Sequence, residues 1–370
     1  MISASGLRSV RAGLFRRVGA LALVTAAVAP VHAEPISVVA TFSILGDMVK
    51  QVGGSKVSVT TLVGADGDTH VYQPTPADAK AVAQARVLVV NGLEFEGWME
   101  RLLEAADFKG QLVTATDGVD ALEFSEGEEH HDEHDKEHKE HEEHKDDDHH
   151  DKEKAAHKDE HKDEHKDEHK DEHKDEHKDE HKDEHKDGDH HGHEHGEHDP
   201  HAWQDLANAR IYVQNIERGL AKVDPANAGE YRQRLTNYLT EIDKLDAEIK
   251  TSMAALPANK RTVVTSHDAF QYFGRAYGLT FLSPQGISTE SEASAEDVAN
   301  LIRQIRKERI SAVFVENLSD SRLIERIAEE TGARVGGTLY PGALSPSDGP
   351  APTYLDMLRT NARVIRESLQ

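Results

Sequence analysis

Val87-Leu88-Val89-Val90 is an unbroken apolar run between Arg86 and Asn91. Branched side chains with no polar break read as a strand buried on both faces, which belongs in a parallel sheet covered by helices. The flanks agree. Pro76 to Ala85 reads as a helix before the run, and Glu96 to Ala106 as a helix after it. Further out, Ile36-Ser37-Val38-Val39-Ala40 and Val57 to Val63 read as strands around a helix from Ile44 to Val52, which Gly53-Gly54 ends. Leu112-Val113-Thr114 closes the series. Strands alternating with helices predict an α/β fold with a mostly parallel sheet.

A second series of the same kind occupies the C-terminal part. Thr262 to Thr265, Thr280 to Leu282, Ala312 to Val315 and Val335 to Leu339 read as strands. Helical patterns cover Ala295 to Glu308, Ser321 to Thr331 and Thr353 to Leu369. Long amphipathic stretches from Leu206 to Leu220 and Pro225 to Leu256 lie between the two series. The expected architecture is two (β/α) lobes joined by one long helix.

Three features bound the class of protein. Arg8, Arg11, Arg16 and Arg17 precede an apolar run from Val18 to Ala29, and Val31-His32-Ala33 has small-residue cleavage spacing, so residues 1–33 read as a secretory signal peptide. There is no cysteine, which excludes thiol-linked lipid, disulfides and dithiol zinc motifs, and leaves His, Asp and Glu as metal donors. These two features predict a soluble periplasmic protein that is not lipid-anchored. The third feature is charge. Of 69 acidic and 43 basic residues, 34 and 13 fall between Glu126 and Asp199, so that segment carries −21 and the rest of the chain −5. With the charge confined to one acidic tract, nucleic acid is not an expected partner. Without the signal and the tract, roughly 265 residues remain, enough for two modest cores.

The acidic tract has almost no apolar residues to offset its conformational entropy, so residues 126–198 are expected to be a disordered, His/Asp/Glu-rich loop. Within it His-Lys-Asp-Glu recurs with period four, placing His157, His161, His165, His169, His173, His177, His181 and His185 in register. These are candidate low-affinity metal ligands. A tethered chelator of this kind would raise the local concentration of metal. The expected boundaries are then 34–125 for the N-terminal lobe, 199–260 for the remainder of the first lobe and the linking helix, and 261–370 for the C-terminal lobe.

Of 25 histidines, 22 lie between His130 and His201, and the others are His32, His70 and His267. Outside the signal and the loop, only His70, His201 and His267 are left. His70 follows the glycine-rich stretch Gly64-Ala65-Asp66-Gly67-Asp68-Thr69, His201 follows Asp199-Pro200, and His267 follows the strand ending Thr265-Ser266. Carboxyl ends of parallel strands face the ligand crevice, so His70 and His267 are expected to point into it. A single histidine at a strand end is an ordinary surface or hydrogen-bonded residue. Sparsity and shared placement make these three a candidate metal set. Glu290 and Glu292 are candidate acceptors for the ligand imidazoles, or acids at the start of the helix near Ser294.

Asp68-Thr69-His70-Val71-Tyr72-Gln73-Pro74-Thr75-Pro76, Asp199-Pro200-His201-Ala202-Trp203 and Ser266-His267-Asp268-Ala269-Phe270-Gln271-Tyr272-Phe273 resemble the signature stretches of the zinc/manganese solute-binding proteins of ABC importers. So do Ile287-Ser288-Thr289-Glu290-Ser291-Glu292, Phe314-Val315-Glu316 and Thr353-Tyr354-Leu355-Asp356-Met357. The resemblance covers the mature chain apart from the acidic tract. It implies that His70, His201 and His267 bind the metal, that two lobes are bridged by a long rigid helix with the metal site in the interlobe cleft, and that a His-rich insertion is common in zinc members. One position departs from the family pattern. Leu339-Tyr340-Pro341-Gly342-Ala343-Leu344-Ser345 has glycine where many members place an aspartate ligand. Three imidazoles without that carboxylate favour zinc over manganese. Asp356 reads as a helix-surface residue rather than a replacement ligand.

The expected function is therefore a monomeric, high-affinity periplasmic receptor that delivers Zn(II), its transported ligand, to an ABC permease and ATPase, with the loop collecting or buffering zinc. The rivals are a periplasmic zinc buffer or metallochaperone, a manganese receptor, and a zinc-dependent hydrolase. No His-Glu-x-x-His helix supports the last of these, and no enzyme is expected.

Overall fold

A computed structural model describes residues 34–123 and 198–370, together with Gly6. The signal peptide and the histidines from His157 to His185 lie outside the described residues.

In the first lobe, β1 (Ile36–Phe42), β2 (Val57–Val63), β3 (Val87–Val90) and β4 (Gln111–Thr114) form an all-parallel sheet in the order β2-β1-β3-β4. Every residue of β3 is buried, as its unbroken apolar run requires. α1 (Ser43–Gly53), α2 (Pro76–Gln84) and α3 (Met99–Ala106) connect the strands, and α4 (Leu206–Val223) packs on β3 and β4. α4 rests close on the sheet because Gly219 presents no side chain. A Cβ there would stand 2.2 Å from Val113 Cγ2. α2 begins on a capping box in which Thr75 and Asp78 satisfy each other's backbone N–H groups, with Pro76 at the first helical position.

The second lobe repeats the plan. β5 (Thr262–Val264), β6 (Thr280–Leu282), β7 (Ala312–Glu316) and β8 (Arg334–Leu339) form a parallel sheet ordered β6-β5-β7-β8. α6 (Gln271–Tyr277), α7 (Ala295–Glu308), α8 (Arg322–Thr331) and α9 (Tyr354–Leu369) complete it. Sequence periodicity did not give α6. Asp356, set aside as a ligand, caps α9 with Thr353 and pairs with Arg359 at 2.8 Å.

The lobes are joined by α5 (Ala228–Ala254), 27 residues and so about 40 Å long. Pro225–Asn227, expected as its first turn, is a separate 3₁₀ turn. Tyr231, Tyr238, Ile242, Leu245, Ile249 and Met253 form one buried stripe along α5, at spacings of three, four and seven. The stripe meets α1 and α4 on the first-lobe side and α6 and α9 on the second. One apolar cluster therefore runs from β1 through α5 to α9, and a smaller one around Leu301, Val313 and Ile324 fills the outer part of the second lobe. No described helix is long and apolar enough to cross a membrane.

Candidate metal centre

Two of the candidate histidines follow the carboxyl ends of strands, and the third precedes a helix. His70 lies in the turn after β2, His267 just after β5, and His201 in the turn before α4. The structure brings them together, with one ligand atom from each inside a group spanning no more than 4.8 Å. His70 Nε2 and His201 Nε2 are 3.3 Å apart, and the His267 ring lies 5.5 Å from that of His201 and 5.9 Å from that of His70, centroid to centroid. Tetrahedral donors about 2.0–2.1 Å from a zinc ion stand roughly 3.3 Å from one another, so the His70–His201 pair already has the spacing of two ligands of one ion, with the His267 ligand atom close by.

Two carboxylates fix which nitrogen faces inward. Asp199 Oδ1 lies 2.8 Å from His201 Nδ1, and Glu316 Oε2 lies 2.6 Å from His267 Nδ1. With Nδ1–H donated to a carboxylate, Nε2 keeps its lone pair for an ion. Both carboxylates are held by backbone as well. His201 N–H donates to Asp199 Oδ1, while Ser266 and His267 N–H both donate to Glu316 Oε1. The Asp199–His201 segment is itself pinned, because Tyr272 Oη donates to Asp199 O and Asn91 Nδ2 to Pro200 O.

The site is buried apart from His70. Asp199, His201, His267 and Glu316 are 1–3 % exposed, and His70 is half-buried. Phe42, Phe95 and Trp203 form an aromatic wall, with Phe95 4.9 Å from the His70 ring and Trp203 5.3 Å from that of His201. A dry wall strengthens any charge interaction inside it. Burial pushes the Asp199 carboxyl up to about 7, against the His201 N–H bond that lowers it. Burial, then the nearby His267, holds His201 well below its ordinary value and so neutral. Burial alone would lower His267 too, but the Glu316 charge and hydrogen bond outweigh it, and His267 is raised above 6.5.

Asp199 and Glu316 were not singled out from sequence. Glu290 and Glu292 were, and the structure corrects that choice. Both are exposed, and the imidazole acceptors are Asp199 and Glu316 instead. In that stretch it is the Thr289 hydroxyl that turns inward, to Asp68. The one signal available was the carboxylate two residues before His201. At Gly342, added atoms have room: a Cβ would lie 3.4 Å from Leu318 Cδ1 and 3.9 Å from Trp203 Cζ2.

Comparison with known proteins fits this geometry. The family model described as zinc-uptake complex component A, periplasmic, matches residues 38–368. The manganese ABC transporter substrate-binding lipoprotein PsaA of Streptococcus anginosus is 27% identical over 340 residues, covering 91% of this chain and 90% of that protein. The iron ABC transporter substrate-binding lipoprotein MtsA of Streptococcus pyogenes is 26% identical, covering 91% and 89%. The manganese-bound periplasmic metal-binding protein of Candidatus Liberibacter asiaticus superposes with a TM-score of 0.66 at 28% identity, covering 90% of this chain and all of that one.

These relatives correct one expectation and leave another open. A free protein, held by no lipid, was expected. The streptococcal relatives are lipoproteins, and that expectation is overturned. Lack of cysteine excludes thiol-linked lipid only, which was too narrow a ground for it. Zinc was also expected as the ion; the family model is described by zinc uptake while these relatives are named for manganese and iron, so the comparisons support a divalent metal ion without choosing among them. With the match spanning nearly the whole length, the chain belongs to this family of periplasmic metal-binding proteins of ABC importers.

Proposed function

We propose that the protein is a receptor that holds one divalent transition-metal ion between His70, His201 and His267 and passes it to an ABC permease and its ATPase. The convergence of three imidazoles inside a 4.8 Å group, two of them backed by buried carboxylates, carries this reading. Membership in a family of non-catalytic binding components makes the protein a binder and not an enzyme. The test is calorimetry of the metal-stripped protein with Zn(II) and with Mn(II). One tight site per chain, lost in His201→Ala, is the expected result. Tight binding that survives alanine at all three histidines would refute the assignment.

Two readings of the ion compete. An all-imidazole donor set with glycine at position 342 favours zinc, since manganese prefers harder oxygen donors. Manganese in the names of two relatives supports the rival ion. Gly342→Asp separates them, because it adds a carboxylate beside Trp203, whose ring packs on His201. It should raise manganese affinity relative to zinc by about tenfold, read by competition titration. If the unmodified protein already binds manganese more tightly, the zinc reading fails and the receptor reading stands.

Affinity should also depend on pH in a defined sense. An ion must displace the proton that Glu316 retains on His267, whose pKa is raised. Affinity is therefore flat above that raised value and falls by about tenfold per pH unit below it. Titrations at stepped pH test this, and affinity that rises on acidification would contradict it. The residues from His157 to His185 are proposed as additional weak sites that collect or buffer metal. Deleting residues 126–198 should remove those sites and keep the tight one.

A further inference from the structure

Two hydrogen-bonded loops meet at the mouth of the site. The first, between β2 and α2, carries His70. Its Asp68 carboxylate accepts two bonds at once, the His70 N–H at Oδ1 (3.0 Å) and the Thr289 hydroxyl at Oδ2 (2.6 Å). Thr289 belongs to the second lobe, 221 residues away in sequence. The second loop, after β6, is tied to the other side of the site. Asp268 N–H donates to Gly286 O at 3.0 Å and Gln285 N–H to Ser266 O at 3.4 Å, so the loop grips both neighbours of His267.

This single loop therefore connects the peptide around His267 to the carboxylate that holds the peptide of His70. Asp66 adds a parallel tie, accepting from Asn317 Nδ2 at 2.8 Å and donating its N–H to Leu344 O at 2.9 Å. On the first-lobe side the His70 segment is held by Trp98, whose Nε1–H donates to Thr69 O at 2.9 Å. His70 thus sits on a backbone clamped from both lobes, and its distance from His267 depends on both clamps.

Building on the site proposed above, the geometry points to Thr289 as a positioning residue that sets His70 against His267, acting through Asp68. Asp68 stands outside the group of converging ligand atoms, and each of its oxygens is turned to a bridge partner. Removing the Thr289 hydroxyl takes away the tie nearest the His70 peptide, leaves the Asp66 tie two residues earlier, and keeps all three imidazoles in place. Its consequence is faster loss of the ion, since the half-buried ligand can swing out first.

The test is stopped-flow dissociation of Zn(II), and separately of Mn(II), into excess chelator. Thr289→Val, which keeps shape and deletes the hydroxyl, should raise the dissociation rate about tenfold, the worth of one hydrogen bond to a charged acceptor. Thr289→Ser should restore the parent rate. In an Asp68→Ala background, Thr289→Val should add nothing further, because its partner is gone. Melting of the metal-free Thr289→Val protein should match the parent, with only the metal-induced rise reduced. A parent-like dissociation rate in Thr289→Val, or a full effect of that change in the Asp68→Ala background, overturns the inference. The unmodified protein and His201→Ala serve as controls. If the first binds and the second does not, a failed Thr289 result counts against the bridge alone; if either control fails, the site itself is misassigned.

Discussion

His201→Ala lowers metal affinity by about 10³-fold, measured by competition with a chromophoric chelator. A structural zinc site of protein ligands yields about 10–16 kcal/mol. One of three donors carries on the order of a third of that, about 3–5 kcal/mol, and each 1.4 kcal/mol is a factor of ten. Water can occupy the emptied position, but the wall of Phe95 and Trp203 gives it few polar partners. The change also strips Asp199 of its imidazole partner at 2.8 Å, leaving a buried carboxyl whose pKa is already pushed up to about 7. A parent-like affinity in this variant would place the ion elsewhere.

Glu316→Gln is expected to cost about 100-fold, the upper part of the range for a partner behind a ligand histidine. The amide oxygen can still accept from the Ser266 and His267 N–H groups, so the turn survives. The amide nitrogen then faces His267 Nδ1, where a carboxylate oxygen stood at 2.6 Å. Two N–H groups cannot point at each other, so Nδ1 becomes the acceptor and the proton moves to Nε2. A protonated Nε2 has no lone pair for the ion. The same change removes the charge that raises His267, so the loss of affinity on acidification should begin at a more acidic pH. An affinity and a pH profile both equal to the parent's would show that Glu316 does not set the tautomer.

How far the sequence anticipates this site depends on which physical signal each part leaves. The parallel strands announce themselves because burial on both faces demands unbroken branched runs, as in β3 and in Ala312–Phe314 of β7. α6 leaves no such mark. It is seven residues long, and Tyr272, Phe273, Gly274 and Tyr277 are all buried, so no polar face alternates with an apolar one. α3 starts at Met99 instead of Glu96 because Glu96 to Met99 forms a turn of its own, closed by the Met99 N–H donating to Glu96 O at 2.9 Å. The histidines were legible because the folded part holds so few. Their carboxylate partners were not, since nothing in a strand's own pattern ties Glu316 to an imidazole 49 residues earlier. Glu290 and Glu292 drew attention by nearness in sequence, yet the chain there turns its hydroxyl inward and its acids to water.

The unbroken apolar seam along α5 has a bearing on traffic through the site. Wide gaping of the two halves would expose Tyr238, Ile242, Leu245, Ile249 and Met253, all of which are nearly or fully enclosed. Each such side chain resists exposure by about 1.5–3 kcal/mol, so spontaneous yawning is a rare excursion. Entry and escape are then confined to small shifts of the short segments at the rim. Cargo is retained by a slow exit as well as by a favourable grip, and unloading at a useful rate falls to whatever machinery pulls on that rim.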